Sequence, residues 1–211
     1  MTPPTSDIPV ILLAAGQSRR MGGTDKLLET IDGEPMLRRQ ARMARAATLG
    51  PVLVALPPPP HPRHAALEGL DLQIVPVPDA AEGINASLRA AVAALPKTAR
   101  AAMVVLADLP DLTTYDLRTV LQDIDLNSEI LIWRGATKDG APGHPVVFSA
   151  PLFARIAELS GDSGTKDIIA DAADRIKLVP LPGQRARTDL DTPEDWAAWR
   201  AGRTGPQASG R

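Results

Sequence analysis

The sequence predicts an α/β fold: a Rossmann-like three-layer sandwich in which a mostly parallel sheet with one antiparallel element is covered by helices on both faces. Three observations predict it. Short apolar runs alternate with longer stretches of helical spacing along the 211 residues, the pattern of strands joined by crossover helices. With 3% aromatic residues and abundant alanine, the core must be built from small and branched aliphatic side chains packed at close helix-to-sheet distance. The first apolar run leads straight into a glycine-bearing, cationic loop, and open α/β sheets hold their ligands beyond such strand ends.

The runs are VILLAA from Val10, PVLVAL from Pro51, LQIVPV from Leu72, AAMVVLA from Ala101, EILIW from Glu129, HPVVF from His144 and IKLVPL from Ile176. Unbroken apolar runs suit strands covered on both faces. Helical spacing marks 36–47, 86–95, 115–124 and 152–159, and right-handed crossovers follow. A last helix starts at Pro193: Thr192 or Asp191 can cap it, and Glu194 and Asp195 fill its first turn, which accounts for both as a helix start. Pro57 to Pro60, with His61 and Pro62, cannot continue a sheet and read as a stiff surface loop, with His61 and His64 at the surface. One domain is expected over 1–201, with a nucleotide-binding half at 1–107 and an acceptor-binding half at 108–201. The antiparallel element falls near 129–148, and 202–211 reads as a frayed polar tail.

A formal net charge of −2 leaves no excess of cations for a nucleic acid, although a small anion needs only a local patch. The chain has no cysteine, which excludes disulfides, thiolate nucleophiles and sulfur-ligated zinc, and agrees with a reducing compartment. The apolar stretch from Val10 to Ala15 is short and no Lys or Arg precedes it, so a cytoplasmic location is expected rather than secretion. No window approaches the roughly 20 apolar residues that span a bilayer, so no membrane partner is expected.

The stretch LLAAGQSRRMGGTDK, residues 12–26, is the most informative in the chain. Gly16, Gly22 and Gly23 let bare amides face anionic oxygens, and Arg19, Arg20 and Lys26 add cations, Arg as a planar fork and Lys as a point charge. It fits neither the dinucleotide fingerprint nor the Walker loop. Asp108 follows the fourth run, where a carboxylate can reach the cleft and hold a divalent cation; an Asp before a proline also starts turns. Gly83 gives a turn, and Asn85 or Ser87 can cap the helix that follows. His144, near a strand start, reads equally as a hydrogen-bonded structural residue. GDSGTKD from Gly161 offers Ser163, Thr165 and Lys166 to a second substrate, or simply starts a helix.

Leu13, Ala14, Gly16, Ser18, Arg20, Met21, Gly22 and Lys26 match LAxGxSxRMGxxxK, and the chain resembles the MobA-like nucleotidyltransferases. DKLL at Asp25, NASLRA at Asn85, LADLPDL at Leu106, PGHPV at Pro142, GDSGTKDII at Gly161 and DLDTPEDW at Asp189 narrow the likeness to the molybdenum cofactor cytidylyltransferases. The resemblance implies a fold of the nucleotide-diphospho-sugar transferase type and the transfer of CMP from CTP to the phosphate of molybdopterin, with Mg²⁺ as the metal. It implies Arg20, Lys26 and Asp108 as catalytic, and Asp108 rather than Asp111 as metal ligand. Asp189 is favoured over Asp191 as a second ligand, because Asp191 can be taken by capping. It implies nucleotide or cofactor contacts from Leu13, Ala14, Ala15, Gly16, Ser18, Asn85, Ser87 and His144. Ala15 stands where the related guanylyltransferases commonly carry glycine, which favours CTP, although sugar nucleotidyltransferases also carry LAAG. A transient contact with a molybdoenzyme or its maturation chaperone is implied too. Two other readings stay open: transfer to a sugar, alditol or other small phosphate, and a non-catalytic molybdenum cofactor carrier.

Overall fold

The computed structural model describes residues 6–159 and 164–204. Strand β1 (Val10–Leu13) sits near the middle of the sheet with all four residues buried. Its side chains alternate between the two faces, Val10 and Leu12 into one core and Ile11 and Leu13 into the other. Beyond the glycine loop, β2 (Thr30–Ile31) and β3 (Glu34–Pro35) form a small hairpin. Its turn, Asp32-Gly33, has positive φ at both residues, as a two-residue hairpin loop requires. Helix α1 (Met36–Ala47) has the bounds its spacing predicts.

Next come β4 (Val52–Leu56), the four-residue helix α2 (Arg63–Ala66), β5 (Gln73–Pro76), α3 (Ile84–Ala93), β6 (Ala101–Leu106) and α4 (Thr114–Gln122). The remainder is β7 (Ile132–Ala136), β8 (Pro142–Ser149), α5 (Phe153–Ala157), α6 (Gly164–Asp171), β9 (Ile176–Pro180) and α7 (Pro193–Thr204). The seven-stranded sheet runs β5-β4-β1-β6-β8-β7-β9, and β8 alone is antiparallel to its neighbours. The sandwich therefore has the expected parallel majority and its one reversed element. Residues from α1, α4 and α7 cover one face of the sheet, and residues from α3, α5 and α6 cover the other.

Four boundaries differ from the sequence reading. Strand β7 begins at Ile132 rather than Glu129 and continues through Arg134, Gly135 and Ala136, which do not look like a strand. Gly135 is required there, because a Cβ would run into the His144 carbonyl oxygen of the neighbouring strand. Helix α3 starts at Gly83, whose φ of 106° no other residue adopts easily, so neither Asn85 nor Ser87 caps it. A short helix forms at 63–66 despite the prolines before it. Helix α7 runs to Thr204, past the expected end of order at 201; Gly161, Ser163 and residues 205–211 lie outside the described residues.

Candidate active site

Order in the sheet changes direction between β1 and β6: the chain leaves β1 toward β4 and β5, then returns to place β6 on the other side. Loops after the two strands therefore diverge and leave a crevice at their carboxyl ends. A cavity of about 390 Å³ occupies it, lined by the glycine loop from Leu13 to Arg20, by Lys26, by the start of α3 and by Asp108 and Asp191. A second cavity of about 610 Å³ lies across the same loop, between Ala15–Arg19 and the proline-rich segment.

Lys26 is the centre of the first cavity. Its Nζ donates to Asp108 Oδ2 and to Asp191 Oδ1, each at 2.6 Å, and Arg20 pairs with the other oxygen of Asp191. Burial opposes the Lys26 ammonium, but the two carboxylates outweigh it and hold its pKa above the ordinary value. Burial likewise works against the Asp191 carboxylate, and Lys26 and Arg20 overcome it and keep Asp191 below the usual range. Asp189, without such a partner, is pushed upward by burial and by the charges of Asp191 and Asp108.

The reason for preferring Asp189 over Asp191 does not hold. Helix α7 is capped by Thr192, whose Oγ1 accepts from Asp195 N at 3.1 Å while Asp195 Oδ2 accepts from Thr192 N at 2.9 Å. Capping leaves the Asp191 side chain free for Lys26 and Arg20. Asp111 is used structurally, accepting from Trp199 Nε1 at 2.8 Å, which leaves Asp108 as the carboxylate of that loop facing the cleft. Asp108 Oδ1 is enclosed and has no hydrogen-bond partner. Among the described residues, no group of three or more His, Cys, Asp or Glu side chains is arranged to hold a metal. Two carboxylates with one orphaned oxygen nevertheless suit Mg²⁺, which typically takes one or two protein carboxylates and completes its shell with phosphate oxygens and water.

Leu13, Ala14, Ala15, Gly16 and Ser18 line the cavity as their order in the loop suggests. Ser18 takes the left-handed conformation, with φ of 52°. Ser87 lies on the cavity wall, whereas Asn85 turns away: buried, it accepts from Thr165 Oγ1 at 2.6 Å and ties α3 to α6. His144 stands at the head of β8, its N–H donating to the Ala186 carbonyl at 2.8 Å and its Nδ1 enclosed without a partner. Burial pushes its pKa down to about 4, with Arg134 adding to the effect, while the Val104 backbone and Asp108 oppose it. At neutral pH the ring is uncharged. Lys166 is exposed on α6.

One residue that holds the loop gave no sequence signal. Arg63 of α2 is almost wholly buried, and its guanidinium spans the loop. Nε and Nη2 donate to the two oxygens of Asp25 at 2.7 Å, Nη1 to the Ala14 carbonyl at 2.6 Å and Nη2 to Ser18 Oγ at 3.2 Å. Burial would raise the Asp25 carboxyl, and Arg63 outweighs that and keeps it ionised below the usual range. Arg63 thus clamps the glycine loop to the segment after β4 at Ala14, Ser18 and Asp25. Neither His61 nor His64 is a bare surface residue: His61 Nδ1 accepts from Arg63 N at 3.3 Å, and His64 Nε2 contacts the Pro57 carbonyl at 2.9 Å.

Comparisons with known proteins show the family. A probable molybdenum cofactor guanylyltransferase of Synechococcus elongatus is 30% identical over 194 residues, covering 89% of this chain and 95% of that protein. The crystal structure of Rv0371c from Mycobacterium tuberculosis superposes with a TM-score of 0.76 at 29% identity, covering 92% of this chain and 97% of the other, and a further structure of Rv0371c is a complex with manganese. A CMP-2-keto-3-deoxy-manno-octonic acid synthetase complexed with CTP shares the fold at 15% identity, with a TM-score of 0.74 over 94% of this chain and 98% of that one. The profile of the MobA-like NTP transferase domain matches residues 10–176, and the chain belongs to that family of nucleotidyltransferases.

Proposed function

We propose that this protein transfers the cytidylyl group of CTP to the phosphate of molybdopterin and releases pyrophosphate. The observation that carries the reading is the bridge of Lys26 between Asp108 and Asp191, with Arg20 beside it, at the mouth of a glycine loop. Three cleft elements far apart in the chain spend their folding on one cluster of charge. Phosphoryl-type transfer asks a protein for alignment and neutralisation rather than covalent help, because the attacking phosphate oxygen is already anionic.

In this mechanism Arg20 and Lys26 neutralise the triphosphate, and the loop amides from Ala15 to Ser18 orient it. Asp108 and Asp191 would hold Mg²⁺, which when bound would supply charge neutralisation on the phosphate oxygens. Lys26, bridging the two carboxylates, adds its own positive charge at the same place. Ser87 lies on the wall beside the base and ribose. The cysteine-free composition suits a cytoplasmic enzyme, and a labile product favours direct hand-over to a molybdoenzyme or its chaperone.

CTP is supported by Ala15, a buried residue that lines both cavities. Its methyl narrows the floor under the base and penalises a purine more than a pyrimidine, by about 1 to 3 kcal/mol. The names of the Synechococcus relatives favour the second reading, guanylyl transfer from GTP at the same site. Pyrophosphate release is the test, with molybdopterin against sugar phosphates as acceptor and CTP against GTP as donor. CTP with molybdopterin is expected to give turnover that Asp108→Ala abolishes. Turnover with GTP alone would move the assignment to the guanylyl reading, turnover with sugar phosphates would replace the acceptor, and near-normal turnover of Asp108→Ala would reject the site.

A further inference from the structure

At the start of β8 the fold brings the positions of two arginines together, the half-buried Arg134 and the exposed Arg187, and neither forms an ion pair among the described residues. Arg134 is the third of the five residues of β7, where it pairs in register with Val146 of β8 and with Leu178 of β9. It is half-buried, and its one side-chain hydrogen bond is a long contact from Nε to the Gly143 carbonyl at 3.4 Å. Arg187 belongs to the segment 181–192 that returns from β9 to α7. That segment is pressed against the start of β8: the Ala186 carbonyl accepts from His144 N at 2.8 Å, and a Cβ on Gly143 would run into it. Arg187 lies close enough that its charge, after burial, lowers the pKa of Arg134.

No ion pair among the described residues includes Arg134 or Arg187. Other arginines of this chain show what a structural role looks like here: Arg39, Arg42, Arg155 and Arg203 each rest on a carboxylate at the surface. Withdrawing a guanidinium from water beside a second one is unfavourable on both counts, and an anionic ligand reverses both. The place also matters. His144, whose N–H holds the Ala186 carbonyl, lies near enough to both Arg134 and Asp108 to feel their charges, and Leu190, three residues beyond Arg187, donates its N–H to the Asp108 carbonyl at 3.1 Å.

We propose that Arg134 and Arg187 seat the phosphomonoester of the acceptor, two forked donors holding a tetrahedral dianion on the side of Asp108 opposite the triphosphate. Each fork matches a pair of phosphate oxygens, and the neutral His144 beside them brings no competing charge. Seated in this way, one oxygen of the acceptor phosphate forms its bond to the α-phosphorus as the bond from that phosphorus to the bridging oxygen breaks. Pyrophosphate leaves with the electron pair, and no proton has to be removed from the nucleophile. The direction of attack rests on the proposed function, whereas the anion seat does not.

The test is calorimetric titration of the full chain with inorganic phosphate, with and without the non-reacting analogue of CTP that carries an α,β-methylene bridge. The analogue keeps phosphate out of the triphosphate loop. Saturable phosphate binding is expected with the analogue present, weakened tenfold or more in Arg134→Gln and in Arg187→Gln and partly recovered in Arg134→Lys, with analogue affinity and melting temperature unchanged. No phosphate binding to the wild-type chain, unchanged phosphate affinity in both Gln variants, or an equal loss of analogue affinity would each overturn the proposal. Failure of the cytidylyl reading shows elsewhere, as absent pyrophosphate release with CTP, and leaves the titration without analogue able to report the seat.

Discussion

Arg63 spends all three of its guanidinium nitrogens on the loop, in four hydrogen bonds. Arg63→Ala takes the cation from the partly buried Asp25 carboxylate, which keeps the Leu27 N–H and the Ser18 hydroxyl as donors, and leaves the Ala14 carbonyl without its partner, a loss of about 1 to 3 kcal/mol. Arg63→Lys keeps the charge but loses the fork, so it is expected to fold with a lowered melting temperature and a raised KM for nucleotide at nearly unchanged acceptor KM; equal KM values for both substrates would show that the clamp does not position the loop. Ala15 acts by volume instead of charge. Ala15→Gly removes the methyl under the base and is expected to shift the CTP-to-GTP ratio of kcat/KM toward GTP by about 10- to 100-fold. Competition between the two donors in one reaction measures that ratio directly.

At the scale of elements, what was legible in the sequence follows from how local each cause is. Helix α1 and strand β1 are written in their own periodicity, so their bounds could be read directly. The sequence reading favours Asp189 because Asp191 can cap the last helix; the cap is Thr192, boxed with Asp195, which releases the preceding aspartate. The hairpin β2–β3 carried its own mark in Asp32-Gly33. The rest depended on contacts that no window contains. Arg63 stands among prolines and a histidine, and only the fold carries it 49 residues back to the Ala14 carbonyl. Arg134 and Gly135 break the apolar run of β7: Arg134 is only half-buried, and Gly135 must clear the backbone of β8. Gly143→Ala tests the packing of the return segment on β8. Its Cβ forces the Ala186 backbone away, at a cost of about 1 to 3 kcal/mol, and should raise the KM of acceptor more than that of nucleotide. A thermal melt with steady-state kinetics in both substrates checks it.

For the whole molecule, stability and pH are linked through His144. Its pKa in the folded chain is about 4, below the ordinary 6.5, so between those values the unfolded chain binds more protons. Its contribution is present above pH 6.5, is lost as the pH falls toward 4, and changes little below that. Full burial would make the effect about 3 kcal/mol, and the partly exposed ring brings it to about 1 to 3. His144→Gln is therefore expected to flatten the fall in melting temperature from pH 7 to pH 4; an identical slope in both proteins would remove His144 as the cause. No helix among the described residues is long and apolar enough to cross a membrane.

The segment 181–192 is stitched to its surroundings at four places: Leu181 to Ala136, Gly183 to Lys138, Ala186 to His144 and Leu190 to Asp108. The same strap presents Asp191 to Lys26 and Arg20 at the glycine-loop end of the cleft. Occupancy at one end that shifts the strap must alter affinity at the other, and thermodynamic reciprocity makes the factor equal in both directions. Cooperativity between donor and acceptor would then need no moving domain, only a dozen residues pinned at both ends.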